Sequence, residues 1–286
     1  MIIVKLNRGL GNQLFQYAMG KSLARQYNRS LFLDIREFSK VVPTITTRSF
    51  ELSELSIKDL NVIGSNHLFS FFSLILSQFS RKARSYFFIE EQQFHFSELP
   101  RLNPFFIHLT GYWQSYKYFE SIRDELSFIF KPHHLDNYSN DLIDHVQKNN
   151  SLSLHIRRGD YVTNIHANIF HGLCDLDYYY KSINYIRCNK QVDLICIFSD
   201  DIDWVKQNLF IEGVEIIYVS EFVIDHIQEF EIMKQCQHNI IANSSFSWWA
   251  AFLNSNPEKI VIAPKKWFND ESINTSDLCP QEWIRL

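Results

Sequence analysis

Cysteine is too sparse and too irregular in this chain to brace it. The five present, Cys174, Cys188, Cys196, Cys236 and Cys279, are odd in number and show no Cys-x-x-Cys spacing. That argues against a disulfide framework and against the usual zinc ligand sets, and it points to a reducing compartment. Basic residues are not in excess either: 28 Lys and Arg against 32 Asp and Glu leave a formal net charge of −4. No surplus of positive charge is available to neutralise a nucleic-acid backbone, so nucleic acid is not an expected partner. No apolar run reaches the roughly 18 residues that a membrane-spanning helix needs. The opening Met1-Ile2-Ile3-Val4-Lys5-Leu6 lacks the charged n-region and the small-residue cleavage site of a signal peptide, and it reads as a first buried strand. Internal repeats and low-complexity tracts are missing as well.

What remains is the balance of a globular protein, 286 residues with 46% hydrophobic and 21% charged, enough chain for one large or two modest domains. Strand patterns alternate with helical ones. Ile2 to Leu6, Leu31 to Leu33 and Phe105 to Leu109 read as strands, and Asn12 to Tyr27 and Tyr116 to Phe130 as helices. The second half repeats the alternation: strands at Leu152 to Ile156, Leu194 to Phe198, Glu215 to Val219, Asn239 to Ala242 and Lys259 to Ala263 are separated by helices around 177–187, 202–209, 225–235 and 246–253. Such crossovers imply parallel sheets, hence an α/β protein whose two halves would face one another across a cleft. The break at Lys131-Pro132-His133-His134 and the short helix after it place the boundary at 1–145 and 146–286, with the last helix free to return to the first domain. Residues 36 to 66 are mixed and polar, suiting irregular structure or an acceptor-facing insert. The Phe-rich stretch at 68–84, which ends in Arg81, Lys82 and Arg84, suits a core helix, a lid, or peripheral contact with a membrane surface.

Four constellations fall where strands should end, the place where open α/β sheets bind ligands. The alternating strand 151–156 runs into His155, Arg157, Arg158 and Asp160. Guanidinium forks suit phosphate oxygens, although an Arg-Arg-Asp cluster serves equally well as a surface ion-pair group. Gly9-Leu10-Gly11-Asn12-Gln13 opens a helix after the first strand, and Asp34 ends the next. This imitates a dinucleotide fingerprint, but the third glycine position holds Leu14. Ser199-Asp200-Asp201 follows a strand and offers carboxylates to a base or a cation, or simply caps the next helix. Asn243-Ser244-Ser245-Phe246-Ser247-Trp248-Trp249 starts a helix with hydroxyls, free N–H groups and a flat ring. Together the four edges imply a phosphate-bearing ligand.

The motifs Gly9-Leu10-Gly11-Asn12-Gln13-Leu14-Phe15-Gln16-Tyr17-Ala18, His155-Ile156-Arg157-Arg158-Gly159-Asp160-Tyr161-Val162, Phe198-Ser199-Asp200-Asp201 and Asn243-Ser244-Ser245-Phe246-Ser247-Trp248-Trp249-Ala250 resemble, in order, those of glycosyltransferase family 11, the alpha-1,2-fucosyltransferases. His171-Gly172-Leu173-Cys174 with Tyr178-Tyr179 adds to the likeness, whereas 36 to 104 carries no motif of that family. The resemblance implies a GT-B-like pair of Rossmann-type domains and inverting transfer of fucose from GDP-β-L-fucose, with no cofactor and no obligatory metal. The implied acceptor is the 2-hydroxyl of a β-galactose-terminated oligosaccharide or lipid-linked glycan, in bacterial surface polysaccharide synthesis. It implies a cytoplasmic enzyme, with peripheral attachment to the inner face of the plasma membrane left open.

On the same footing, Arg157 binds the diphosphate, and His155 and Asp200 or Asp201 lie near the guanosine. Ser244, Ser245, Phe246 and Ser247 contact phosphates and ribose, and Asn12 and Gln13 belong to the loop closing from the first domain. Arg158 joins the anion site on the direct reading that two successive guanidinium forks suit a diphosphate. Asp160 is the candidate base, with His171 and Asp34 behind it. Asp160 could instead only orient Arg158 or a loop N–H. Two other classes stay open at this stage: a nicotinamide-dependent oxidoreductase using Gly9, Gly11 and Asp34, and a noncatalytic carbohydrate-binding protein exploiting the aromatics.

Overall fold

The computed structural model describes residues 1–39, 48–58, 60–64, 86–100, 105–159, 162 and 165–286. The Phe-rich stretch at 68–84 and Asp160 therefore lie outside the described residues. The chain divides into two compact units, Met1–Phe130 with Asn274–Leu278, and Lys131–Ile273 with Cys279–Leu286.

The first unit is built on β1 (Ile2–Lys5), β2 (Leu31–Asp34), β3 (Val62–Ile63), β4 (Phe88–Glu90) and β5 (Ile107–Thr110) in the order β3-β2-β1-β5-β4. Every pairing is parallel. The run Ile2-Ile3-Val4 is fully buried, as a central parallel strand covered on both faces demands. Helix α1 (Leu10–Tyr27) lies so close on that sheet that a Cβ at Gly20 would stand 2.3 Å from Val4 Cγ2 and 2.7 Å from Leu31 Cδ1. Where the pattern predicts one helix from Tyr116 to Phe130, the chain forms two 3-10 turns before α2 (Arg123–Ile129). Phe119 interrupts the helix at φ −141, placing its ring 5.8 Å from that of Phe15 in the core.

The second unit holds β6 (Ser151–Ile156), β7 (Leu194–Ser199), β8 (Glu215–Tyr218), β9 (His238–Ile240), β10 (Val261–Ala263) and β11 (Ile284–Arg285), again all parallel, in the order β11-β10-β9-β6-β7-β8. Its helices are α3 (Asn137–Lys148), α4 (Ile165–His171), α5 (Leu176–Asn189), α6 (Ile202–Asn208), α7 (Val219–Phe222), α8 (His226–Gln235) and α9 (Ser245–Leu253). The divide falls at Phe130 rather than at residue 145. Helix α3 packs within the second unit through Gln147 to Gln235 at 2.8 Å and Asp136 N to Gln228 Oε1 at 3.0 Å. The return to the first unit is made by the irregular segment 274–278, not by a helix. There the Asp277 carboxylate accepts from Phe96 N at 2.9 Å, and the Asp277 carbonyl accepts from the Ser115 hydroxyl at 3.1 Å. Among the described residues no helix is long and apolar enough to cross a membrane.

Strand β6 corrects a second expectation. Its polar–apolar alternation predicts one wet face, yet all six residues are buried. It is the middle of the sheet, and its polar side chains are bonded inside the unit: Ser151 Oγ donates to Val146 O at 2.7 Å, and Ser153 Oγ accepts from Asn239 Nδ2 at 2.7 Å. In both sheets the strand order reverses beside the first strand of the unit, at β1/β5 and at β6/β9. Those are the switch points at which an open α/β sheet leaves a crevice.

Candidate active site

At the second switch point β6 ends in two arginines with separate partners. Arg157 Nη1 lies 2.7 Å from Asp200 Oδ2, while Arg158 stacks its guanidinium 3.5 Å above the Trp204 ring centroid and reaches Asp201 Oδ2 through Nε at 3.1 Å. Two successive arginines suggest one paired clamp. Arg158 is instead bound into the wall formed by α6. Asp200 does more than neutralise Arg157: its Oδ1 accepts from the backbone N–H groups of Arg158 at 2.8 Å and Gly159 at 2.9 Å. Gly159 permits this approach, since a Cβ there would stand 2.5 Å from Asp200 Oδ2. Asp201 caps α6 by accepting from Trp204 N at 3.3 Å, and its own N–H donates to Ser199 Oγ at 3.0 Å.

His155, near the end of β6, has Nδ1 2.8 Å from Ser247 Oγ, which in turn donates to Ser244 O at 3.4 Å. Burial, reinforced by the nearby Arg157 charge and opposed by Asp200, pushes the imidazole down to about 3, so it is neutral at physiological pH. Ser244 and Ser245 stand at the start of α9, where no side chain caps the first turn and no acidic residue occupies it. Uncapped N–H groups with the positive end of the helix dipole suit an anion. The half-buried Phe246 ring beside them has its centroid 5.9 Å from that of His155. Asn243 is buried and donates to the carbonyls of His171 at 2.9 Å and Gly172 at 3.3 Å, fixing the turn around His171, whose ring packs on Phe268.

The first unit's predicted residues have mostly internal duties. Gln13 is wholly buried and its amide bonds to Arg8 O at 2.8 Å, Ser49 O at 2.8 Å and Glu51 N at 3.0 Å. It braces the segment 49–51 against the β1–α1 turn. Asn12 Oδ1 accepts from Gln114 Nε2. Asp34 is clasped by Arg36 through Nε at 2.8 Å and Nη2 at 2.6 Å, with His108 at 3.9 Å. Against the cost of burial, those bonds hold the Asp34 carboxyl well below the usual carboxylate range. The oxygens that a ribose would need in the nicotinamide reading are therefore taken, and Leu14 at the missing glycine position is core.

One acidic residue beside the site is missed by the sequence reading. Glu229 lies on α8, near Ser220 of α7, which accepts from Ser199 N at 3.0 Å. Burial, with Asp200 and Asp225 adding to it and Ser220 and His226 opposing, pushes the Glu229 carboxyl up to about 7. A glutamate on a helix normally reads as solvent-facing. The usable signal is its place beside the stripe of buried Phe230 and Met233. Among the described residues no group of three or more His, Cys, Asp or Glu is arranged to hold a metal ion.

Comparison with known proteins identifies the family of the chain. The family model for glycosyl transferase family 11 matches residues 1–286. An alpha-1,2-colitosyltransferase of Escherichia coli is 33% identical, covering 100% of this chain and 99% of that protein. The O-antigen biosynthesis glycosyltransferase WbnK of Escherichia coli is 36% identical, covering 98% of this chain and 99% of its own length. Among solved structures, a mutant of Arabidopsis thaliana FUT1 in complex with GDP superposes with a TM-score of 0.50 at 10% identity, over 95% of this chain and 72% of that one. That likeness concerns the fold: two Rossmann-type α/β units, the composition of a GT-B-like protein.

Proposed function

Starting from a chain that belongs to glycosyl transferase family 11, and is therefore a glycosyltransferase, we propose that it transfers L-fucose from GDP-β-L-fucose to the 2-hydroxyl of a terminal β-galactose, with inversion. The acceptor is a surface-polysaccharide glycan, free or lipid-linked, and the reaction needs no metal. The observation that carries this reading is Arg157 at the β6/β9 switch point, beside neutral His155 and the uncapped start of α9. These groups form one anion site in the second unit, of the kind that receives a nucleotide diphosphate.

The chemistry follows from charge. The acceptor oxygen forms a bond to the anomeric carbon as the bond from that carbon to the β-phosphate oxygen breaks, and its electron pair leaves with GDP. The sugar becomes oxocarbenium-like while negative charge grows on the diphosphate. Donors fixed there stabilise the transition state more than the ground state. GDP leaves without protonation, so only the acceptor hydroxyl must lose a proton. Asp160 is our candidate to take it, as the carboxylate nearest the arginines in sequence.

A second reading is favoured by the colitosyltransferase relative: the same inversion with GDP-colitose, a sugar that lacks one hydroxyl of fucose. Incubation of the protein with each GDP-sugar and a panel of β-galactose-terminated glycans separates the two, with the linkage read by NMR. We expect an alpha-1,2-fucosylated product at a rate unchanged by EDTA. Product from GDP-colitose alone would transfer the assignment to that sugar. No product from either, or tighter binding of NAD than GDP, would overturn both.

A further inference from the structure

The second unit has a cavity of about 170 Å³ at the edge of its sheet where β6 and β9 begin and α5 and α9 end. Strand β6 spans roughly 20 Å at about 3.3 Å per residue, so this cavity is separate from the anion site at the strand's other end. It is smaller than the roughly 300 Å³ at which pockets for drug-sized ligands begin, and it suits one small unit. His238, the first residue of β9, lines it and is only 5% exposed. Its Nδ1 accepts from Ile260 N at 3.1 Å, which puts the proton of the neutral ring on Nε2. Burial, reinforced by Lys190 and opposed by Glu258, holds the imidazole below its usual range, so the ring is neutral at physiological pH. Serving Ile260 N explains Nδ1 alone. Among the described residues Nε2 has no hydrogen-bond partner, and its N–H is left for the cavity.

The rest of the lining supplies both donors and acceptors. The Asp193 carboxylate takes the amide nitrogens of Asn150 and, at 2.8 Å, of Gln191, which leaves the two amide oxygens as acceptors. Asn256 Nδ2 donates to Gln237 Oε1 at 2.8 Å, which leaves the Gln237 amide nitrogen as a donor. Lys190 pairs with Glu258 at 2.8 Å, so with His238 neutral the lining carries no net charge, and Asp193 beside it is negative. An anion is not the fitting occupant. Groups that both donate and accept are hydroxyls, and a sugar ring presents several side by side. We propose that this cavity is a second carbohydrate site, which takes one sugar unit of a glycan through its hydroxyls, with His238 Nε2–H as the buried donor. This rests on the chain being a glycosyltransferase and not on the choice of fucose or of GDP.

No Phe, Tyr or Trp lines the cavity, so a sugar is held there by hydroxyl contacts without stacking. A single unit should bind weakly, with a Kd of about 1 mM. Such a site acts on polymers. Once one unit of a long glycan is engaged at the transfer site, its further units reach the cavity at a raised effective concentration, so the cavity retains long acceptors and leaves short ones unaffected.

The test is NMR of the whole protein labelled with nitrogen-15 in its histidine rings, titrated with methyl β-D-galactoside, methyl α-L-fucoside, glycerol and inorganic phosphate. The His238 signals are those lost in His238→Asn, where the amide oxygen can still accept from Ile260 N while Nε2–H is gone; a thermal melt checks that this variant is folded. In wild type the His238 signals should shift saturably with at least one glycoside and far less with glycerol or phosphate at the same concentration. Lys190→Met, which removes a donor that belongs to an exposed ion pair, should raise the Kd about 3- to 10-fold. No shift with either glycoside, an equal response to glycerol, or a stronger response to phosphate would each overturn the assignment, as would an unchanged Kd in Lys190→Met. None of these readouts involves GDP or turnover, so their failure would leave the transfer reaction proposed above standing.

Discussion

Replacing Arg157 with alanine lowers kcat/KM for sugar transfer about a hundred- to a thousandfold, the usual cost of losing one preorganised donor to a developing anion. The fold survives the change. The side chain is 23% exposed, and Asp200, its partner, keeps its bonds to the N–H groups of Arg158 and Gly159. Arg157→Lys restores the charge without the planar fork and should recover only part of the rate. Steady-state kinetics alongside a thermal melt checks this. A variant with wild-type turnover would remove Arg157 from the mechanism, and one that melts early would show it to be structural.

The largest effect on stability is expected at Trp248. It is wholly buried, stacked on Phe252 at 4.7 Å between ring centroids, with Trp249 at 5.1 Å and Trp283 at 5.5 Å. Trp248→Ala should cost about 3–5 kcal/mol, the range for removing a buried aromatic and leaving its cavity. That is a large share of the roughly 5–15 kcal/mol that holds a typical domain together. Since roughly 2–4 °C is lost per kcal/mol in a unit of this size, the melting transition should fall by about 6–20 °C. Ser247 belongs to the same helix, so nucleotide binding should weaken with it. A melt shifted by no more than about 1 or 2 °C, the scale of a surface substitution, would mean the aromatic cluster does not hold the second unit.

Much of this fold is legible in the residues because the strong signals are local. Ile2-Ile3-Val4 and Leu194-Ile195-Cys196-Ile197-Phe198 are apolar runs that suit buried strands, and both are buried strands. The turns after β6, β7 and β9 are visible because glycine, serine and aspartate gather where strands stop. The hidden parts depend on packing between distant residues. Strands β4 and β11 have three and two residues, too short for any period to show. Ser153 and His155 give β6 a false wet face because their partners, Asn239 and Ser247, lie far along the chain, at separations of 86 and 92 residues.

The same limit explains the site residues. That Arg157 ends a strand is a local fact; that Arg158 turns away to stack on Trp204 is not. Gln13 looks like a ligand group in its motif and proves to be the brace of a neighbouring segment. Glu229 reads only as one more charged residue on a helix, because the burial that perturbs it comes from packing against residues distant in sequence.

A crystal structure of the protein with GDP tests the central claim most directly. The account predicts β-phosphate oxygens within hydrogen-bond reach of the Arg157 guanidinium and of the first-turn N–H groups of the Ser245–Leu253 helix. GDP bound elsewhere, with Arg157 still directed at Asp200 alone, would contradict it.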